Sequence, residues 1–141
     1  MDKIKAKAIL DSRKNQTVEV ELVTNQYSFF SSAPSGKSRG KFEAVELRDK
    51  DGGVKKAISN IEKIIAPKLL GENVNNQKKI DQILIKLDGT KNKSKLGVNA
   101  ILPVSMATCR AGALAANLSL YSYISQLIGN SSPPILPRPC F

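Results

Sequence analysis

Thr17-Val18-Glu19-Val20-Glu21-Leu22 puts an apolar side chain at every second position, with polar residues between. Successive side chains on a strand point to opposite faces, so this run predicts a strand with one buried face and one wet face. The same period appears upstream, where Ile4, Ala6 and Ala8 alternate with Lys5 and Lys7 before Ile9-Leu10. Between the two runs lies a polar turn, Asp11-Ser12-Arg13-Lys14-Asn15-Gln16. Asn25-Gln26 opens a second turn before Tyr27-Ser28-Phe29-Phe30. Three short strands joined by polar turns predict an antiparallel meander.

Past residue 50 the period changes to that of helices. Val54, Ala57, Ile58, Ile61, Ile64 and Ile65 share one helical face, and Pro67 marks the stop. Val74, Gln77, Ile80, Ile83, Leu84 and Leu87 give a second amphipathic helix that ends at Asp88-Gly89. A third, from about Gly97 to Ala116, is Ala-rich and nearly apolar, which makes it the central and most buried helix. Pro103 should kink it or break it in two. Leu120 to Ile128 is a short fourth helix closed by Gly129. The proline-rich run 133–139 reads as an extended connector. The fold class is α+β, a three-stranded antiparallel meander followed by a helical bundle. Residues 1–132 form the domain and 133–141 a connector, with a further domain expected beyond it.

Composition narrows the chemistry. With 41% apolar residues among 141, the chain can bury a core. No apolar run approaches the roughly 18 residues of a membrane span. The N-terminus lacks the apolar stretch of a signal peptide, so a soluble, cytoplasmic protein is expected. Cys109 and Cys140 have no metal-ligand spacing. Histidine is absent, which removes Ser-His-Asp and Cys-His catalysis from these residues alone. A complete barrel enzyme needs roughly 250 residues and is excluded within this length. The net charge is +10, from 22 Lys+Arg against 12 Asp+Glu, which suits a polyanion or a phosphorylated small molecule. Aromatics at 5% and no Trp argue against single-strand stacking. The lysines are spread along the chain, so most of the charge reads as solvated surface, and nucleic acid is not the expected partner.

Residues 31–40, rich in Ser, Gly and Pro, read as a long loop. Gly36-Lys37-Ser38 resembles the end of a P-loop, but Ser31 stands where that motif needs its first glycine. Ser35 and Ser38 could offer hydroxyl oxygens to magnesium, although spacing alone favours turn serines. Asp49 and Asp51 before Gly52-Gly53 lack the further ligands of a calcium loop and read as a charged turn. Cys109 reads as a small core residue.

Several blocks together resemble the N-terminal domain of the enolase (phosphopyruvate hydratase) family. They are Asp11-Ser12-Arg13 with Thr17-Val18-Glu19-Val20, Pro34-Ser35-Gly36 with Ser38, Glu43-Ala44-Val45-Glu46-Leu47-Arg48-Asp49, and Ile64-Ile65-Ala66-Pro67. The most specific is Leu87-Asp88-Gly89-Thr90-Lys91-Asn92-Lys93-Ser94-Lys95-Leu96-Gly97, continuing through Asn99-Ala100-Ile101-Leu102. Leu120-Tyr121 and Leu136-Pro137 with Pro139 close the match. The resemblance implies a meander and helical bundle that pack on a larger C-terminal α/β barrel. It implies a lyase of glycolysis that dehydrates 2-phosphoglycerate to phosphoenolpyruvate with two magnesium ions. The catalytic groups belong to the barrel, so the resemblance implies no catalytic residue in this chain and no activity from it alone. It implies a substrate loop of Ser35, Gly36, Lys37, Ser38 and Arg39, in which Ser38 binds the second magnesium on closure. It also implies a homodimer or higher oligomer, with Glu19 paired to an arginine of the partner subunit and Arg13 near that interface.

The chain departs from the family pattern in defined places. The family's DSRGNPT is Asp11-Ser12-Arg13-Lys14-Asn15-Gln16-Thr17 here. If the lost glycine held a positive φ, Lys14 is strained there or the turn has changed. The family's SGAST is Ser35-Gly36-Lys37-Ser38-Arg39, so two cations flank the magnesium serine. They either repel the metal or contact the substrate phosphate. Pro103 replaces a glycine. Lys14, Lys37 and Arg39 with the +10 charge also suit a second reading, a non-catalytic polyanion-binding protein on the same fold.

Overall fold

The computed structural model describes residues 1–25, 27–36, 40–130 and 135–139. Strands β1 (Lys3–Leu10), β2 (Gln16–Thr24) and β3 (Tyr27–Ser32) form one sheet in the order β1-β2-β3. Both pairings are antiparallel, with Val20 between Ala6 and Ser31 and Glu19 between Lys7 and Ser32. Val18, Val20 and Leu22 lie fully buried on the inner face, as their alternation requires. β3 runs two residues beyond Phe30 because Ser31 and Ser32 complete the ladder with β2. Ser31 lies buried on the inner face, where its hydroxyl finds no partner.

The helices follow. α1 (Lys55–Asn60) passes into a π-helical turn (Ile61–Ile65) and then α2 (Ala66–Leu69). The helix therefore runs through Pro67 instead of stopping there. The wide turn shifts the hydrogen-bond register just before the proline, which accommodates the donor the ring lacks. Ile61, Ile65 and Leu69 are fully buried and pack this rod along β1. Asp49 and Asp51 serve the turn and the start of the helix, with Asp51 Oδ1 accepting Gly53 N at 3.0 Å. Asp49 carboxylate oxygens accept Lys55 N at 2.7 Å and Lys56 N at 3.2 Å, capping α1 from outside the helix.

α3 (Gln77–Asp88) is capped by the Asn76 side chain on Lys79 N and ends at Gly89, whose φ is 70°. α4 (Val98–Ala115) is one unbroken helix with Pro103 inside it, not two. The proline is buried, and Ala100, Val104, Ala107 and Ala111 continue its stripe on both sides, so packing holds the halves in line. α4 crosses β2 and β3 and also touches α1, α3 and α5, which makes it central. Its other flank, with Leu102, Arg110 and Leu114, is exposed. By length and composition α4 could cross a membrane, contrary to the reading of the sequence, and 56% of it is buried inside the domain. α5 (Leu120–Leu127) ends before Gly129, with φ 72°. Residues 135–139 carry no helix or strand and are exposed.

Candidate functional site

The turn between β1 and β2 is built on one carboxylate. Asp11 Oδ1 accepts Arg13 N and Asn15 N, each at 2.8 Å, and Asp11 N donates to Asn15 O at 2.8 Å. The Asn15 N–H holds the Asp11 carboxyl below its ordinary range, against the opposing effect of burial and with help from Arg13. This geometry drives Lys14 to φ 63°, so the position where the family pattern has glycine does hold a left-handed backbone.

Arg13 reaches out of that turn. Its Nη2 donates to Ser35 O at 3.1 Å, which joins the turn to the start of the Ser/Gly loop. Thr17 Oγ1 donates to Ala33 O at 2.7 Å in the interior, and Ala33 N donates to Val18 O at 2.9 Å. Ser35 Oγ donates to Glu46 Oε2 at 3.2 Å and accepts from Arg48 Nη2 at 3.4 Å. Arg48 also pairs with Glu46 Oε1 at 2.5 Å. Its Nη1 donates to Gln16 O at 2.8 Å and Gly52 O at 2.9 Å. A half-buried guanidinium–carboxylate pair thus anchors Ser35 between the turn and the segment 43–49.

That segment is fixed from below. Asn99 Oδ1 accepts Leu47 N at 3.0 Å and its Nδ2 donates to Leu47 O at 2.9 Å. Val45 N donates to Asn92 O at 2.7 Å, and Val98 N to Val45 O at 2.8 Å. The loop after α3 is itself held by buried Asp88, which accepts Leu96 N at 2.8 Å, Thr90 N at 2.9 Å and the Thr90 hydroxyl. Burial alone raises the Asp88 pKa. The bonds from Leu96 and Thr90, with Lys93 nearby, outweigh it and hold the carboxyl below its ordinary value. Gly97 sits at φ 90°, and a Cβ there would meet Asn99 Oδ1 and the Leu47 Cβ, each at 2.6 Å. The Leu87-to-Gly97 run is therefore a clamp for the strip that carries Glu46 and Arg48.

Two clefts flank the loop. One, of about 410 Å³, is lined by Leu10, Arg13, Ala33, Pro34, Ser35 and Met106. The other, of about 270 Å³, is lined by Pro34, Gly36, Glu43, Glu46, Val98 and Leu102. Of the residues singled out in the sequence, the structure brings Arg13, Ser35 and Gly36 to this junction. Lys37, Ser38 and Arg39 lie outside the described residues. Glu19 does not join the cluster. It stands on the outer face of the sheet, 2.9 Å from Lys7 Nζ and 3.4 Å from Ser32 Oγ. Its hydrogen bond and charge raise the Lys7 pKa. Glu46, Arg48 and Asn99 were quoted in the sequence only as parts of motifs. The one local signal was an acid and a base two residues apart beside a polar loop.

Among the described residues, no three His, Cys, Asp or Glu side chains converge to hold a metal. By themselves those residues do not fit a magnesium site. Cys109 is partly buried on α4, and burial, with Asp81 nearby, pushes its thiol pKa up, so it is no activated nucleophile.

Comparison with known proteins agrees with this architecture. A family model described as "Enolase, N-terminal domain" matches residues 1–124. The chain is 53% identical to "Enolase" of Mastigamoeba balamuthi, over 96% of this chain and 32% of that protein. It is 51% identical to "Enolase 1" of Entamoeba histolytica, over 100% of this chain and 34% of the relative. It is 54% identical to "Enolase B" of Dictyostelium discoideum, over 100% of this chain and 33% of the relative. The chain thus spans about a third of the length of the curated relatives it matches. The three-stranded meander, the helical bundle behind it and the clamp built by its most specific motif are those of a chain that belongs to the enolase N-terminal domain family.

Proposed function

We propose that this chain is the loop-bearing domain of a cytoplasmic phosphopyruvate hydratase, which dehydrates 2-phosphoglycerate to phosphoenolpyruvate. The observation that carries the reading is the Arg13 bond to the Ser35 carbonyl, with Ser35 also held by Glu46 and Arg48. A loop that closes over a substrate needs one fixed end, and this network supplies it immediately before Gly36. Arg13 and Arg48 position the loop. Ser38 is proposed as the chain's contact to the second magnesium, an ion that would neutralise charge building on the substrate carboxylate. Closure would exclude water from the reacting atoms. The lysine base, the acid and the remaining metal ligands are proposed to come from a C-terminal barrel. The 141 residues alone are accordingly proposed to be inactive. Glu19 and Arg13 are proposed to face a second subunit of a homodimer.

The test is magnesium-dependent conversion of 2-phosphoglycerate by the full-length protein, followed by the absorbance of the enol phosphate. Ser38→Ala should lower kcat/KM by roughly 100-fold, and Arg13→Ala by about 10-fold, the size expected when a positioning group is lost. Lysine at position 13 should restore part of the Arg13 loss, since it can still reach a carbonyl. A full-length protein with no turnover at saturating magnesium would sink the proposal.

A further inference from the structure

Leu47 belongs to no helix or strand, yet one side chain 52 positions away takes both of its main-chain groups. That side chain is Asn99, in the first turn of α4 and 1% exposed. Burying an amide is costly unless both its donor and its acceptor find partners. Here the acceptor takes Leu47 N at 3.0 Å and the donor reaches Leu47 O at 2.9 Å. Val45 is held in the same way by main chain, its N–H on Asn92 O at 2.7 Å and its carbonyl on Val98 N at 2.8 Å. Asn99 therefore adds one rung to a short ladder, its amide standing where a peptide group would. Aspartate has the same shape but no donor for Leu47 O when ionised, and alanine has neither group.

The two residues that flank Leu47 give the rung its purpose. Glu46 Oε2 accepts the Ser35 hydroxyl at 3.2 Å, and Arg48 Nη2 donates to the same oxygen at 3.4 Å. Arg48 is also held from the other side, by Gln16 O and Gly52 O. Glu46 lies between the two rungs, so its place against Ser35 is set by the main-chain bonds of Val45 and Leu47. We propose that Asn99 is a positioning residue for the dehydration. Through Leu47 it sets Glu46 against Ser35, and so fixes the base of the Ser/Gly loop. Asn99 touches neither the substrate nor the reacting atoms. The inference rests on the reading of this chain as the loop-bearing domain of a phosphopyruvate hydratase.

Steady-state kinetics of the full-length protein, normalised to the folded fraction seen by circular dichroism, test it. Asn99→Ala should lower kcat/KM by about 10-fold, the loss of a positioning group. Asn99→Asp keeps the bond from Leu47 N and should lose less, about 3-fold. Leu69→Ala opens a cavity in the core far from this strip and should leave kcat/KM unchanged. An equal loss there would overturn the proposal, because lowered stability would then account for the Asn99 effect. In a Ser35→Ala background Asn99→Ala should cost only about 2-fold, since both act through one contact. Full additivity would overturn the proposal. Backbone amide order parameters at Ser35 give a readout without turnover. They should fall in Asn99→Ala and hold in Leu69→Ala, and an unchanged value at Ser35 in Asn99→Ala would overturn the proposal even where activity falls. Loss of activity in Arg13→Ala with none in Asn99→Ala would overturn this inference alone. A full-length protein without turnover would sink the reading of the domain and this inference with it.

Discussion

The turn at 11–16 and the loop at 88–97 are two versions of one device. Each is organised by an aspartate that accepts backbone N–H bonds, and each forces a lysine to positive φ, 63° at Lys14 and 60° at Lys93. They differ in surroundings. Asp88 is 1% exposed, and its loop is gripped by Asn60 and Val45. Asp11 faces solvent, and its turn is tied sideways through Arg13 to Ser35. The same local chemistry makes a rigid clamp where water is excluded and an adjustable support where it is not.

The largest way to break this comparison is Asp88→Ala. It strands Leu96 N in the interior and frees Thr90, so we expect a loss of about 3 kcal/mol or more in urea unfolding. Asp11→Ala, whose donors can turn to water, should be far milder. Equal losses would mean that burial is not what separates the two sites. Asn99→Ala should cost about 2 kcal/mol by removing both bonds to Leu47. It should also speed amide exchange at Leu47 more than at Val20.

Acid unfolding tests what the two sites share. Both carboxyls have folded pKa values below their unfolded ones, so the stability they give is present above the unfolded value. It is lost as pH falls through the lower folded value. Asp88→Asn and Asp11→Asn should therefore each flatten the acid limb of a stability–pH curve. The smallest expected effect is a gain. Lys14→Gly should stabilise by about 1 kcal/mol, the cost of left-handed backbone in a residue with a Cβ. Lys93→Gly should gain less, because the Lys93 ammonium donates to Thr90 O at 3.3 Å and that bond would go.

The strands were legible because a two-residue period is a local property of six or seven residues. The end of α3 was legible for the same reason, since Gly89 follows the last apolar position of its face. The helix through Pro67 was not. A stop signal and a π-turn with a proline after it look alike in one dimension, and tertiary packing of Leu69 decides between them. The support of the Ser/Gly loop was only half legible. Arg13 and Ser35 stood out within their motifs, but their bond spans 22 positions and the Asn99 bond to Leu47 spans 52. No periodicity reports contacts at such separations. The motif that best identified the family turned out to serve the fold, holding the strip that bears Glu46 and Arg48.

The wide turn at Ile61–Ile65 makes the rod on β1 sensitive to length in a way that composition does not reveal. Deleting any one of those residues would let the segment close as ordinary α-helix. The turns on either side would keep their facing, because a π-turn is one extra residue taken up within an α-helical ladder. Leu69 would stay on the buried face, but Pro67 would fall within a continuous α-helical ladder, where its ring lacks a donor and crowds the preceding turn. Exposed Glu62 and Lys63 can change identity freely, yet removing either takes away the wide turn that precedes the proline. In this rod the extra residue serves the proline more than the core.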